Sequence, residues 1–209
     1  MIQTNNLSIK YESHKIKFPD INLNSGDSLL ILGKSGSGKT SMLNLLGGLA
    51  SPNSGTVCIN SQIIHSLTSN QIDKFRGSNI GFVFQTPHFI KSLSVQENLE
   101  LTQYLVGETH RHYSDRLLKK VGLLNRKNDS VNTLSEGEKQ RISIVRALIN
   151  QPKVILADEP TSALDDESCN EVISLLKELS LENQAILIIV THDKRLKKKF
   201  TQFIDLDDT

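Results

Sequence analysis

Five short apolar runs rich in β-branched residues punctuate the chain: SLLILG (28–33), TVCI (56–59), NIGFVF (79–84), KVILAD (153–158) and AILIIVTH (185–192). Each is too short for a helix, and the apolar positions run on instead of alternating. That pattern predicts strands buried on both faces, as in a parallel sheet covered by helices. Helix-compatible segments separate the later runs, which favours an α/β architecture. Between Phe84 and Lys153 the pattern turns helical, through SVQENLELTQYLV, RHYSDRLLKKVGLL and EGEKQRISIVRALIN. This block predicts a helical subdomain inserted into the α/β core at roughly residues 88–150, within one domain spanning 1–209. The turn cluster SPNSGT (51–56) is expected to end a helix that begins near Lys39.

Composition narrows the function. The 209 residues carry 24 basic and 23 acidic side chains, so no global field favours nucleic acid or an acidic membrane. The N-terminal MIQTNNLSIK has no basic region followed by an apolar run, and no signal peptide is expected. The longest uninterrupted apolar run, Ala185 to Val190, falls far short of the ~20 residues a spanning helix needs. A soluble chain follows as the expectation, with any membrane role reached through a partner. Cys58 and Cys169 lie far apart without metal-ligand spacing and read as small apolar residues. His65, His88, His110 and His112 show no paired metal spacing either, and are expected at the surface or in packing. KRLKKK (194–199) predicts a solvated helix face.

The candidate chemistry starts at Gly33–Thr40, GKSGSGKT, entered from an apolar strand. Gly33, Gly38, Lys39 and Thr40 have Walker A spacing. Gly33, Lys34, Ser35, Gly36, Ser37 and Gly38 can turn backbone N–H groups around phosphate oxygens, and the following helix presents its positive dipole end. Lys39 adds a charge at the β and γ phosphates, and Thr40 offers a hydroxyl to Mg²⁺. Downstream, VILADEP puts Asp158 and Glu159 where a strand leaves the core, with Pro160 barring its continuation. One carboxylate there can hold Mg²⁺ and its neighbour can orient or deprotonate the attacking water. In LSEGEKQR, Ser135 and Glu138 fit a capping box at a helix start.

With these motifs in this order, the chain resembles an ATP-binding cassette protein along its whole length. Gln85 after IGFVF resembles the Q-loop, LSEGEKQR the family signature, and VILADEP Walker B with its catalytic glutamate. SALD (162–165) resembles the D-loop, and His192 in VTHD the switch histidine. Tyr11 stands where the family places an aromatic residue against adenine. MLNLLGGLASPNSG, GFVFQTPHFIKSLSVQENL and RISIVRALINQPKVILADEPTSALD look most like the lipoprotein-releasing (LolD-type) and macrolide-exporter (MacB-type) cassettes, and the cell-division cassette is similar. The resemblance implies a P-loop NTPase core with a RecA-like mixed sheet, an antiparallel β portion and the inserted helical subdomain. It implies a cytoplasmic ATPase using ATP and Mg²⁺, peripheral on the cell membrane through a separately encoded permease docked near the Q-loop. Two copies are expected to join head to tail when ATP binds. Glu159 and His192 are then catalytic, and Thr40, Gln85 and Asp158 hold the metal. Ser135, Gly137 and Asp165 contact the ATP of the other subunit. The family writes two glycines in its signature where this chain has Glu136 and Gly137; Glu136 is expected to face solvent.

Overall fold

The computed structural model describes residues 1–11, 14–107, 111–162 and 164–208, with only the backbone at positions 14 and 111. Its strands are Ile2–Tyr11 (β1), His14–Lys17 (β2), Asn22–Leu23 (β3), Ser28–Leu32 (β4), Ser54–Ile59 (β5), Gln62–Ile63 (β6), Ile80–Val83 (β7), Val154–Asp158 (β8), Ile186–Thr191 (β9) and Gln202–Asp205 (β10). The α-helices are Lys39–Leu46 (α1), Ser69–Asn79 (α2), Val95–Tyr104 (α3), Arg111–Lys120 (α4), Glu136–Leu148 (α5) and Asp166–Glu182 (α6). All five apolar runs became strands, and the three helical segments between Phe84 and Lys153 became α3, α4 and α5. TVCI departs from the expected parallel, doubly buried strand: it lies in β5, whose pairs are antiparallel and where Val57 and Ile59 are buried while Thr56 is exposed and Cys58 half-buried.

The strands sort into two sheets. One has the order β10-β4-β9-β8-β7, and each of its pairs is parallel. The other joins β2, β1, β5 and β6, with β3 beside β1, in antiparallel pairs. The mixture of parallel and antiparallel strands therefore lies between sheets, not within one.

Successive strand residues point to opposite faces, and this divides the core in two. Leu30, Leu32, Ile155, Ala157, Leu187 and Ile189 join a cluster completed by residues of α3 to α6. Leu29, Ile31, Leu156, Ile188 and Val190 join a second cluster shared with α1 and the antiparallel sheet. The parallel sheet is thus covered on both faces, which is why its strands read as continuous apolar runs.

Helix starts follow local chemistry. Ser135 caps α5: its Oγ accepts from the Glu138 N–H at 3.2 Å, and the Glu138 carboxylate accepts from the Ser135 N–H at 2.8 Å. The bond from the Ser135 N–H, more than any other group, holds the Glu138 carboxyl below its ordinary value. Ser94 and Glu97 build the same reciprocal pair at the start of α3, satisfying N–H groups that a helix end leaves open. The run 194–199 forms a 3-10 turn that buries Leu196 and exposes most of its cations. No described helix is long and apolar enough to cross a membrane. Cys58 is half-buried and Cys169 buried, both as free thiols. His110 lies outside the described residues.

Candidate nucleotide site

Because the five strands are parallel, their carboxyl ends share one edge of the sheet, where open α/β sheets place ligands. At that edge β4 runs into Gly33, β8 ends at Asp158, and β9 leads from Thr191 into His192. In register, Thr191 is level with Leu32 on one side, and Val190 with Asp158 on the other. One strand therefore separates the glycine-rich loop from the carboxylates, and its end supplies the histidine between them.

The loop 33–38 turns directly into α1. Gly36 and Gly38 have φ of +84° and +95°, values a residue with a side chain rarely adopts. A Cβ on Gly38 would also press on Phe18 at 3.2 Å and Ile16 at 3.3 Å. Lys39 is buried, and its Nζ donates to the Gly33 carbonyl at 2.7 Å and the Lys34 carbonyl at 2.8 Å. Its third neighbour is Glu159 Oε1 at 3.9 Å.

Glu159 sits just past β8 with φ +45°, its N–H held by the Val190 carbonyl at 2.9 Å. The left-handed turn points its carboxylate back across the sheet edge. There Oε2 accepts from Thr191 Oγ1 at 2.8 Å, while Oε1 accepts from the His192 N–H at 3.0 Å and lies 2.9 Å from His192 Nδ1. Asp158 bonds Thr40, the residue after the loop lysine. Burial raises the Asp158 carboxyl above its ordinary value and the Glu159 charge adds to this, against the Thr40 bond and the Lys39 ammonium.

One cavity of about 780 Å³ collects these groups, lined by Tyr11, Gly33–Gly36, Gly38–Thr40, Gln85, Asp158, Glu159 and His192 among others. The sequence-derived candidates left outside it are Ser37, Ser135, Gly137 and Asp165. Ser37 is half-buried behind the loop. Ser135 and Asp165 cap α5 and α6; Asp165 accepts from the Ser168 N–H and hydroxyl, both at 2.9 Å. Those Ser168 bonds lower the Asp165 carboxyl. Glu136 is turned to solvent, its side chain 64 % exposed and paired with Lys139 at 2.7 Å.

The cavity also includes Ile16 and Ser41, which the sequence did not single out, and Lys194, which it read only as part of a solvated face. Ser41 lies 3.0 Å from the Tyr11 hydroxyl; its signal was only its place after Thr40. Thr191, the partner of Glu159, reads in sequence as one more β-branched strand residue.

A parallel sheet whose carboxyl edge carries a glycine-rich loop, its lysine and a strand-end carboxylate pair defines the class, an α/β nucleoside-triphosphate hydrolase. The family model described as ABC transporter matches residues 16–162. HrtA of Staphylococcus saprophyticus, named provisionally as a hemin import ATP-binding protein, is 41% identical over 200 residues, covering 94% of this chain and 90% of HrtA. HrtA of Staphylococcus aureus strain MRSA252, with the same provisional name, is 40% identical over 200 residues at the same coverage. Among solved structures, the dimeric ATP-binding cassette MJ0796, in a post-hydrolysis state with ADP and Pi, is 34% identical with TM-score 0.85 over 98% of this chain and 94% of that one. CbiO1 of Clostridium perfringens, part of the CbiONQ transporter complex, is 31% identical with TM-score 0.81 over 92% and 78%.

The chain belongs to the ABC transporter family. It is an ATP-binding subunit of such a transporter and an ATPase.

Proposed function

We propose that this cassette hydrolyses ATP as a head-to-tail homodimer and drives a separately encoded integral membrane permease, in the manner of the LolD-type and MacB-type cassettes. The chain would act as a single unit, with residues 88–150 as its helical subdomain, at the cytoplasmic face of the membrane.

One observation carries the proposal. The cavity gathers the loop, the carboxylates and His192 from one chain, while Ser135 and Gly137 stand outside it at the capped start of α5. A capped helix start is an anion site by its dipole and open N–H groups. Among the described residues, nothing in the packing asks for glycine at 137, where the nearest atom to an added Cβ, Arg141 Nη1, is 3.8 Å away. A close approach from outside, by the γ-phosphate on a second copy, gives that glycine a use. Asp165 would reach the same interface from the start of α6.

Within one copy, Tyr11 stacks on adenine, the loop amides beyond Lys34 wrap the phosphates, and Lys39 leaves its two carbonyls for the β and γ oxygens. Thr40 and Asp158, already bonded to each other, give hard oxygen donors that fit Mg²⁺, with Gln85 on the cavity wall. The metal, when bound, neutralises charge on the phosphates. Glu159 orients the attacking water and accepts its proton. His192, bonded to Glu159 through both its N–H and its ring, faces the γ-phosphate.

Purification of the tagged chain from mildly solubilised membranes tests the transporter assignment. A stoichiometric integral membrane protein is the expected companion, and a chain recovered only with soluble proteins would contradict it.

A further inference from the structure

The first peptide unit of the glycine-rich loop is held from both sides. Its carbonyl, on Gly33, accepts from Lys39 Nζ at 2.7 Å. Its N–H, on Lys34, donates to Asp207 Oδ1 at 2.9 Å. A carboxylate and an ammonium therefore face each other through a single amide. Hydrogen bonds at the two ends of one amide polarise it in the same sense and strengthen each other. Neither bond survives a flip of that peptide plane.

The placement of Asp207 follows from the sheet. β10 pairs in parallel with β4, and Asp205 is level with Leu32, the last residue before the loop. The next residue carries on the ladder, with the Leu206 N–H donating to the Leu32 carbonyl at 2.9 Å. Leu206 Cβ lies 3.4 Å from where a Cβ on Gly33 would be, so the two backbones run in contact. Asp207 is then the second residue past the strand end, and its N–H is turned onto Asp205 Oδ1 at 3.2 Å.

We propose that Asp207 is a positioning residue for the phosphate site: through the 33–34 peptide it fixes the carbonyl that seats the Lys39 ammonium. The Lys34 amide, occupied by Asp207, takes no phosphate oxygen. The later amides of the loop do that work. When ATP enters and Lys39 turns to the phosphates, Asp207 keeps the Gly33 carbonyl in place, so the loop does not have to be rebuilt in each cycle. The carboxylate acts through its acceptor geometry, and its charge works slightly against the phosphates.

The inference rests on the assignment of Lys39 to the phosphates, and the test separates the two. Mg-ATP affinity by calorimetry, with KM, kcat and melting temperature, is measured for Asp207→Ala, Asp207→Asn, Lys39→Ala and the Lys39→Ala/Asp207→Ala double variant. Loss of one oriented bond predicts about threefold to tenfold weaker Mg-ATP binding in Asp207→Ala, carried by KM more than by kcat. Asp207→Asn keeps an acceptor oxygen and is expected within about twofold of the parent protein. In the Lys39→Ala background, Asp207→Ala should add no further loss, an outcome a purely structural residue would not give. Normal affinity in Asp207→Ala, equal losses in Ala and Asn, or additive losses in the double variant would each overturn the inference. Normal affinity in Lys39→Ala would instead overturn the assignment of Lys39.

Discussion

Replacing Glu159 by Gln separates the chemistry of this carboxylate from its structural part, and the local bonds say how far. Glu159 Oε1 accepts from His192 at two points, and Oε2 accepts from the Thr191 hydroxyl at 2.8 Å. Gln can place its carbonyl oxygen on the His192 side and turn its NH₂ to Thr191 Oγ1. A hydroxyl can accept as well as donate, so the contact is kept with its direction reversed. The melting temperature should therefore move by no more than a few degrees. Basicity, in contrast, is gone, and a positioned general base typically contributes about 10²- to 10⁴-fold. That loss corresponds to about 2.7–5.4 kcal/mol of transition-state stabilisation. Steady-state phosphate release from the purified Glu159→Gln protein should fall in that range while Mg-ATP affinity stays near normal. Turnover within about threefold of the parent protein would refute the role of Glu159.

Lys39→Ala removes a cation held at 2.7 and 2.8 Å by two loop carbonyls, and Mg-ATP affinity by calorimetry should drop by about tenfold or more; unchanged affinity would show that the loop is not the phosphate site. Asp158 has its pKa raised by burial and by the neighbouring Glu159 charge, so its contribution to stability is fully present below its unfolded value and lost as pH rises through the folded one. Nucleotide-free Asp158→Asn should then gain in melting temperature over the parent protein between about pH 4 and 7, while losing Mg-dependent hydrolysis; a gap that shrinks with pH contradicts this. Gly81 tests the packing of β7 on α5, because a Cβ there would meet the Ala147 carbonyl oxygen at 2.2 Å. Backbone must move, so Gly81→Ala should cost about 1–3 kcal/mol, or roughly 2–12 °C for a chain of this size, and a calorimetric scan without a shift would refute the close approach.

The strands of the parallel sheet were legible because burial on both faces leaves little room for polar residues. The antiparallel strands were much less so. In β1 the pairing with β5 shifts between Asn5 and Ser8, which breaks the two-residue period that a strand search relies on. α2 contains no buried residue at all, so no apolar face announced it. Its start is set by a capping box between Thr68 and Gln71, a signal easily lost among turn residues. In the site, the loop, the carboxylate pair and the Ser135 cap could be read from residue types and spacing. Tyr11, Gln85 and His192 were found only by resemblance, because each is chemically ordinary until the strand ends bring it beside the loop. Asp207 lies 173 positions from Lys34, and only the pairing of β10 with β4 makes them neighbours.

The central claim is that one copy holds an incomplete site, finished by Ser135 and Gly137 of another. Sedimentation velocity on Glu159→Gln, with and without Mg-ATP, tests it most directly, since blocked hydrolysis leaves two nucleotides to bridge the subunits. Without nucleotide the facing surfaces carry phosphate-binding groups and no anion, so a monomer is expected. With Mg-ATP a dimer should form at tens of micromolar protein, roughly where weak interfaces become visible. Adding Ser135→Arg should abolish it by filling the space of the γ-phosphate. If Glu159→Gln stays monomeric with saturating Mg-ATP, and still does so when Glu136→Gly restores the second signature glycine, the claim is contradicted.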